Sequence, residues 1–82
     1  MTHKQVVLCS PVRTAIGTYG ASLKDTPATE LGATVIRGAV ERSGLDPSQV
    51  QAVVMGQVVQ AGARMNPSRQ AAIGADIPVD VP

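Results

Sequence analysis

The chain has 82 residues, a formal net charge of +1, one cysteine, one histidine, one tyrosine, and neither tryptophan nor phenylalanine. That length bounds it to at most one small domain with a modest core, and one cysteine excludes an internal disulfide. The scattered basic residues leave no stripe for nucleic acid, nothing has metal-ligand spacing, and no apolar run nears the roughly 20 residues of a membrane span.

The opening apolar stretch is too short for a signal peptide. The expectation is a soluble, cytoplasmic protein with no nucleic-acid or membrane partner. It also lacks the disulfides, metal or aromatic packing with which free-standing domains of this size compensate for a small core.

The elements follow in chain order. "QVVLCS", Gln5 to Ser10, is a continuous apolar run, the pattern of a strand buried on both faces. "PVRTAIGTYGASLKDTP" holds Pro11, Gly17, Gly20 and Pro27, so it is a long loop. A helix then begins, with Thr26 as a candidate cap, Pro27 at its first position and Glu30 near its amino end. Leu31, Val35 and Ala39 lie four apart, with Gly32, Ile36 and Val40 alongside. Gly44 is placed to end the helix, and "LDPSQ" turns the chain.

"VQAVVMGQVV", Val50 to Val59, is a second doubly apolar run. "QAGARMN" is a loop, Asn66 is a suitable cap, and Pro67 opens a short helix carrying Ala71, Ala72 and Ile73. "VDVP" alternates like the start of a further strand. The order β-α-β-α makes one right-handed crossover unit. Its helix covers one face of the strands and leaves the other bare, so the fold class is α/β and incomplete as an isolated chain.

No complete catalytic constellation is present. Cys9 lies in the first apolar run with no neighbour to hold a thiolate, and reads as a small buried hydrophobe. His3 sits at the terminus. Gly17 and Gly20 fit neither phosphate-loop pattern. Asp25 and Glu30 read as helix-start charges. Arg64 and Arg69 are the candidates for holding an anion.

Three ordered stretches carry a resemblance. "RTAIGTYGASLKDTPATELGATVI" (Arg13 to Ile36), "VVMGQVVQAG" (Val53 to Gly62) and "NPSRQAAIGADIPVDVP" (Asn66 to Pro82) resemble the opening of the thiolases, the acetyl-CoA C-acetyltransferase family. The match runs from Val6 to Pro82 at consistent spacing. It implies the βαβα opening of a thiolase-like αβαβα layered fold, with residues 1–82 as the amino-terminal part of the N-terminal domain.

The same resemblance implies reversible Claisen condensation of two acetyl-CoA to acetoacetyl-CoA and CoA. A Cys thiolate takes the acetyl group and a second, basic Cys removes the α-proton. The family's segment bearing the nucleophile follows the stretch matched here, so none of residues 1–82 is expected to be catalytic and the segment alone is expected to be inactive. Coenzyme A thioester enters as substrate, with no cofactor and no metal. The implied partners are the remainder of the same chain, a homodimer or tetramer, and acyl-CoA.

Many thiolases carry Gln before the Asn-Pro, where this chain has Met65, preceded by Arg64. Met65, Asn66 and Arg69 are therefore the candidate residues for the substrate pocket or dimer edge, and Met65 leaves room for a longer acyl chain. Two other readings stay open: a non-catalytic thiolase-like binding or adaptor module, and a degradative 3-ketoacyl-CoA thiolase.

Overall fold

The computed structural model describes residues 4–82; His3 lies outside the described residues. Helix α1 spans Ala28–Ser43 and helix α2 spans Pro67–Gly74, with a single 3-10 turn at Pro47–Gln49 between them. Both helices fall where apolar periodicity places them.

Pro27, with φ −60° and ψ 146°, occupies the cap position of α1, and no side chain caps that end. Thr26 therefore does not cap and Pro27 is not the first helical residue: with ψ at 146° Pro27 is itself extended, so the helix starts at Ala28, one residue later. Glu30 sits in the first turn. Gly44 ends α1 in the left-handed region at φ 75°, its N–H donating to the Glu41 carbonyl, a conformation that side chains with a Cβ resist.

In the 3-10 turn, Asp46 Oδ1 accepts from the Ser48 N–H at 3.0 Å, and the Asp46 N–H donates to Gln49 Oε1 at 2.9 Å. The backbone donor of Ser48, helped by its hydroxyl, holds the Asp46 carboxyl below the usual carboxylate range.

The two segments expected as strands form none among the described residues. Val6, Val7 and Leu8 are exposed, as are Val54, Val58 and Val59. A strand is not a property of one segment. It needs a neighbour to take its N–H and C=O groups, and these two segments do not pair with each other. The βαβα order is thus present only in its helices.

Cys9, read from sequence as buried, is exposed for the same reason: no layer lies over it. "VDVP" is a turn instead of a strand start, closed by the Val81 N–H on the Pro78 carbonyl at 3.1 Å. Prolines at 78 and 82 remove ladder donors, and Arg69 takes the carbonyls of Val79 and Val81.

The core is small. Ala33, Ala72, Ala75, Ile77 and Val81 are buried together, with Ile36, Val40, Val50 and Val53 packed against them. The helices meet through small side chains: a Cβ on Gly32 would lie 3.0 Å from Ala71 Cβ, and one on Gly74 would lie 3.1 Å from Ala33 Cβ. Arg37 reaches from α1 to donate to the Gly74 carbonyl at 2.6 Å, where a cation satisfies the carbonyl end of α2. The carboxyl-terminal carbonyl of Pro82 accepts from the Val53 N–H at 2.8 Å.

Around this core the molecule is open. Its Cα radius of gyration is 14.5 Å, against about 12 Å for a compact chain of this length. Its accessible surface is 6805 Å², against about 4,600 Å² for a compact monomer of this mass. No helix among the described residues is long and apolar enough to cross a membrane.

Candidate functional site

The amino-terminal half of α1, the extended segment through Met55–Gln57 and the start of α2 enclose a cleft of about 580 Å³. Leu31, Gly32 and Val35 form one wall, Met55 and Gly56 the second, and Pro67 and Ala71 the third. The absence of a side chain at Gly32 opens the cleft where the helices approach most closely. Its polar groups are neutral: Gln57, Gln60 and Asn66 amides and the hydroxyls of Thr14, Thr29 and Ser68.

Among the described residues, no acid, base or thiol lines this cleft. Among the described residues no cluster of His, Cys, Asp or Glu has the makings of a metal site. The arrangement can bind an apolar group and orient it with amides.

The loop leading into α2 leaves the cleft lining at Gln60 and returns to it at Asn66. Gly62, Arg64 and Asn66 all have positive φ, at 74°, 62° and 46°. For Arg64 and Asn66 this is a backbone cost, since a Cβ crowds the following carbonyl. Asn66 is compensated, because its Oδ1 accepts from the Arg69 N–H at 3.1 Å and caps α2. Gln70 Nε2 donates to the Ala63 carbonyl at 2.6 Å and to the Met65 carbonyl at 2.9 Å.

The three residues singled out from sequence take different places. Asn66 lines the cleft. Met65 does not line it, and projects from the loop at 87% exposure. Arg69 is half-buried, and its guanidinium donates to the Val81 carbonyl at 2.9 Å and to the Val79 carbonyl. Asn66 and Arg69 share a smaller pocket of about 160 Å³ beside Val53 and Val81. The residues that sequence reasoning passed over are Gln70, Met55 and Gly32. An amide four residues after a cap, on an otherwise apolar helix face, was the available signal for Gln70.

Replacing Asn66 by Ala removes a cap worth about 1 kcal/mol and leaves a Cβ in the left-handed region at about 1 kcal/mol more. Asn66→Gly loses the cap alone. Chemical denaturation is expected to rank the variants Asn, Gly, Ala in falling stability. Equal stability of the Gly and Ala variants would show that the left-handed φ is not maintained.

The chain belongs to the thiolase family: the family model of the thiolase N-terminal domain matches residues 6–82. It is 56% identical over 77 residues to an acetyl-CoA acetyltransferase of Cupriavidus necator, covering 94% of this chain and 20% of that protein. It is 52% identical over 79 residues to an acetyl-CoA acetyltransferase of Pseudomonas aeruginosa, covering 96% and 20%. A mitochondrial acetyl-CoA acetyltransferase of Mus musculus is 43% identical over 81 residues, covering 99% and 19%.

Among solved structures, a thiolase from Ascaris suum in complex with coenzyme A superposes with a TM-score of 0.79 at 36% identity, covering 82% of this chain and 18% of that one. That likeness is consistent with part of a thiolase fold, and the strands of the βαβα order are not formed among the described residues. The chain spans about a fifth of the length of the relatives it matches.

Proposed function

We propose that residues 1–82 are the amino-terminal part of a thiolase N-terminal domain, in an enzyme that reversibly condenses two acetyl-CoA to acetoacetyl-CoA and CoA. They supply scaffold and interface, and the nucleophile lies elsewhere in the protein. The observation that supports this reading is the match of residues 6–82 to the thiolase N-terminal domain, in a chain that covers a fifth of its acetyltransferase relatives.

In this reading the remainder of the thiolase chain covers the exposed Val6–Leu8 and Val54–Val59 segments, which then pair as strands. A second subunit of a homodimer or tetramer lies against the 61–66 loop. The chemistry divides at an acyl-enzyme, which splits one high barrier into two lower ones. Oxyanion donors stabilise the enolate and tetrahedral states. The Ala28–Val35 and Met55–Gln57 walls would exclude water and hold the acyl chain.

The test uses the full-length enzyme carrying these residues. Thiolysis of acetoacetyl-CoA is measured beside thiolysis of a longer 3-ketoacyl-CoA, in the native protein and in Met65→Gln. The substitution exchanges a flexible apolar side chain for an amide on an exposed loop, where stability changes stay within about 0.5 kcal/mol. Met65 does not line the cleft; in this reading it reaches the acyl pocket from the loop that lies against the second subunit, and its replacement is expected to shift the kcat/KM ratio between the two substrates by roughly 10-fold, the discrimination of one methylene. An unchanged ratio would remove Met65 from the acyl pocket. No thiolysis of either substrate would turn the reading to a non-catalytic binding module.

A further inference from the structure

We propose that Gln70 is a positioning residue that fixes the 61–66 loop, whose flanks Gln60 and Asn66 line the cleft, and thereby sets which acyl chains the assembled enzyme accepts. This rests on the reading of the cleft as bordering the acyl pocket, and it adds a named device to it.

The loop leaves the cleft at Gln60 and re-enters it at Asn66, both of which line the cavity. Between them the backbone passes through three left-handed residues, Gly62, Arg64 and Asn66. Two of these bear a Cβ, so the loop does not keep this shape by its own preference. Within the loop one backbone bond is present, from the Ala63 N–H to the Gln60 carbonyl at 3.2 Å. The other restraints come from α2: the cap made by Asn66 and the side chain of Gln70.

Gln70 is one turn after Asn66 on α2 and half-buried. Its Nε2 bridges two carbonyls, those of Ala63 and Met65, which flank the strained Arg64. Both partners are pure acceptors, so the amide orientation is determined: only the nitrogen, with its two protons, can serve both. A carboxylate or thioether of the same length has no donor to offer. The clamp therefore fixes the peptide on either side of Arg64 and, through it, the direction in which Met65 leaves the loop.

The experiment compares native full-length enzyme with Gln70→Met, an isosteric change that removes both donors. Hydrogen exchange of the Ala63 amide, whose N–H donates to the Gln60 carbonyl within the loop, is expected to quicken roughly 10-fold, as expected when two hydrogen bonds restraining a surface loop are lost. The amides of α2 serve as the internal control and stay unchanged. The kcat/KM ratio between short and longer 3-ketoacyl-CoA substrates is expected to move, and the effect of Met65→Gln on that ratio is expected to vanish in the Gln70→Met background.

Unchanged loop exchange would overturn Gln70 as the clamp whatever the activity does. Faster exchange with an unaltered ratio would overturn the control of acyl selectivity, while thiolysis itself continues to support the thiolase reading. If Met65→Gln shifts the ratio equally in both backgrounds, the loop position does not depend on Gln70 and the proposal fails. Should Gln70→Met fold poorly, Gln70→Lys keeps donors at similar reach and Gln70→Glu presents only acceptors. Slow loop exchange in the first and fast exchange in the second is the expected contrast, and equal exchange would refute it.

Discussion

A polypeptide of these 82 residues, made by itself, is expected to show no thiolase activity and no cooperative thermal transition. The accessible surface of 6805 Å² exceeds that of a compact monomer by about 2,200 Å². Much of the excess is apolar: Val6, Val7, Leu8, Val54, Val58 and Val59 stand in solvent. Each such side chain forgoes roughly 1.5–3 kcal/mol of burial, and six of them together match the whole stability of an ordinary domain, about 5–15 kcal/mol. What remains buried is mostly alanine, with Ile77 and Val81.

Mixing the polypeptide with the complementary remainder of the thiolase chain is expected to restore structure and activity together. Strand formation at Gln5–Ser10 and Val50–Val59 would be visible by far-UV circular dichroism. The exposed thiol of Cys9 would become slow to alkylate, since a buried thiol with no basic neighbour is inert. A sharp, monomeric melt from the isolated polypeptide would refute the first part of this expectation, and rapid labelling of Cys9 in the reassembled protein would refute the last.

The second large effect lies at the crossing of α1 and α2. A methyl group at Gly32 would stand 3.0 Å from Ala71 Cβ and 3.3 Å from Met55 Cε, closer than ordinary contact, whereas one at Gly38 meets nothing within 4 Å. Both glycines lie inside α1, where Gly costs about 1 kcal/mol relative to Ala. Gly38→Ala is expected to stabilise the full-length protein by about that amount. Gly32→Leu is expected to destabilise it by about 3 kcal/mol, because a side chain there overpacks against Ala71 and forces the helices apart. Leucine there also fills the cleft, so activity is expected to fall with stability. Denaturation midpoints for the two variants provide the check; similar shifts for both would mean the helices do not cross as closely as Gly32 and Ala71 indicate.

The sequence by itself determined the two helices, the Gly44 end of the first, the Asn66 cap of the second, and the family; the start of the first lies one residue later than the Thr26–Pro27 pattern places it. Periodicity of Leu31, Val35 and Ala39, a glycine at 44, and Asn66 before Pro67 are local signals, and local hydrogen bonds answer them within a turn of chain. The family was legible because three motifs stand in order at consistent spacing. Only the tertiary structure decided where the long polar side chains go. Arg69, a candidate anion holder by sequence, is turned onto the carbonyls of Val79 and Val81. Gln70, unremarked by sequence, joins Ala63 to Met65. Such partners are set by how the backbone returns on itself, which residue type does not encode. The apolar runs mark the limit most clearly. Their composition states that Val6–Leu8 and Val54–Val59 should be covered, but strand pairing is a contract with a neighbouring backbone, and no neighbour lies beside them among the described residues.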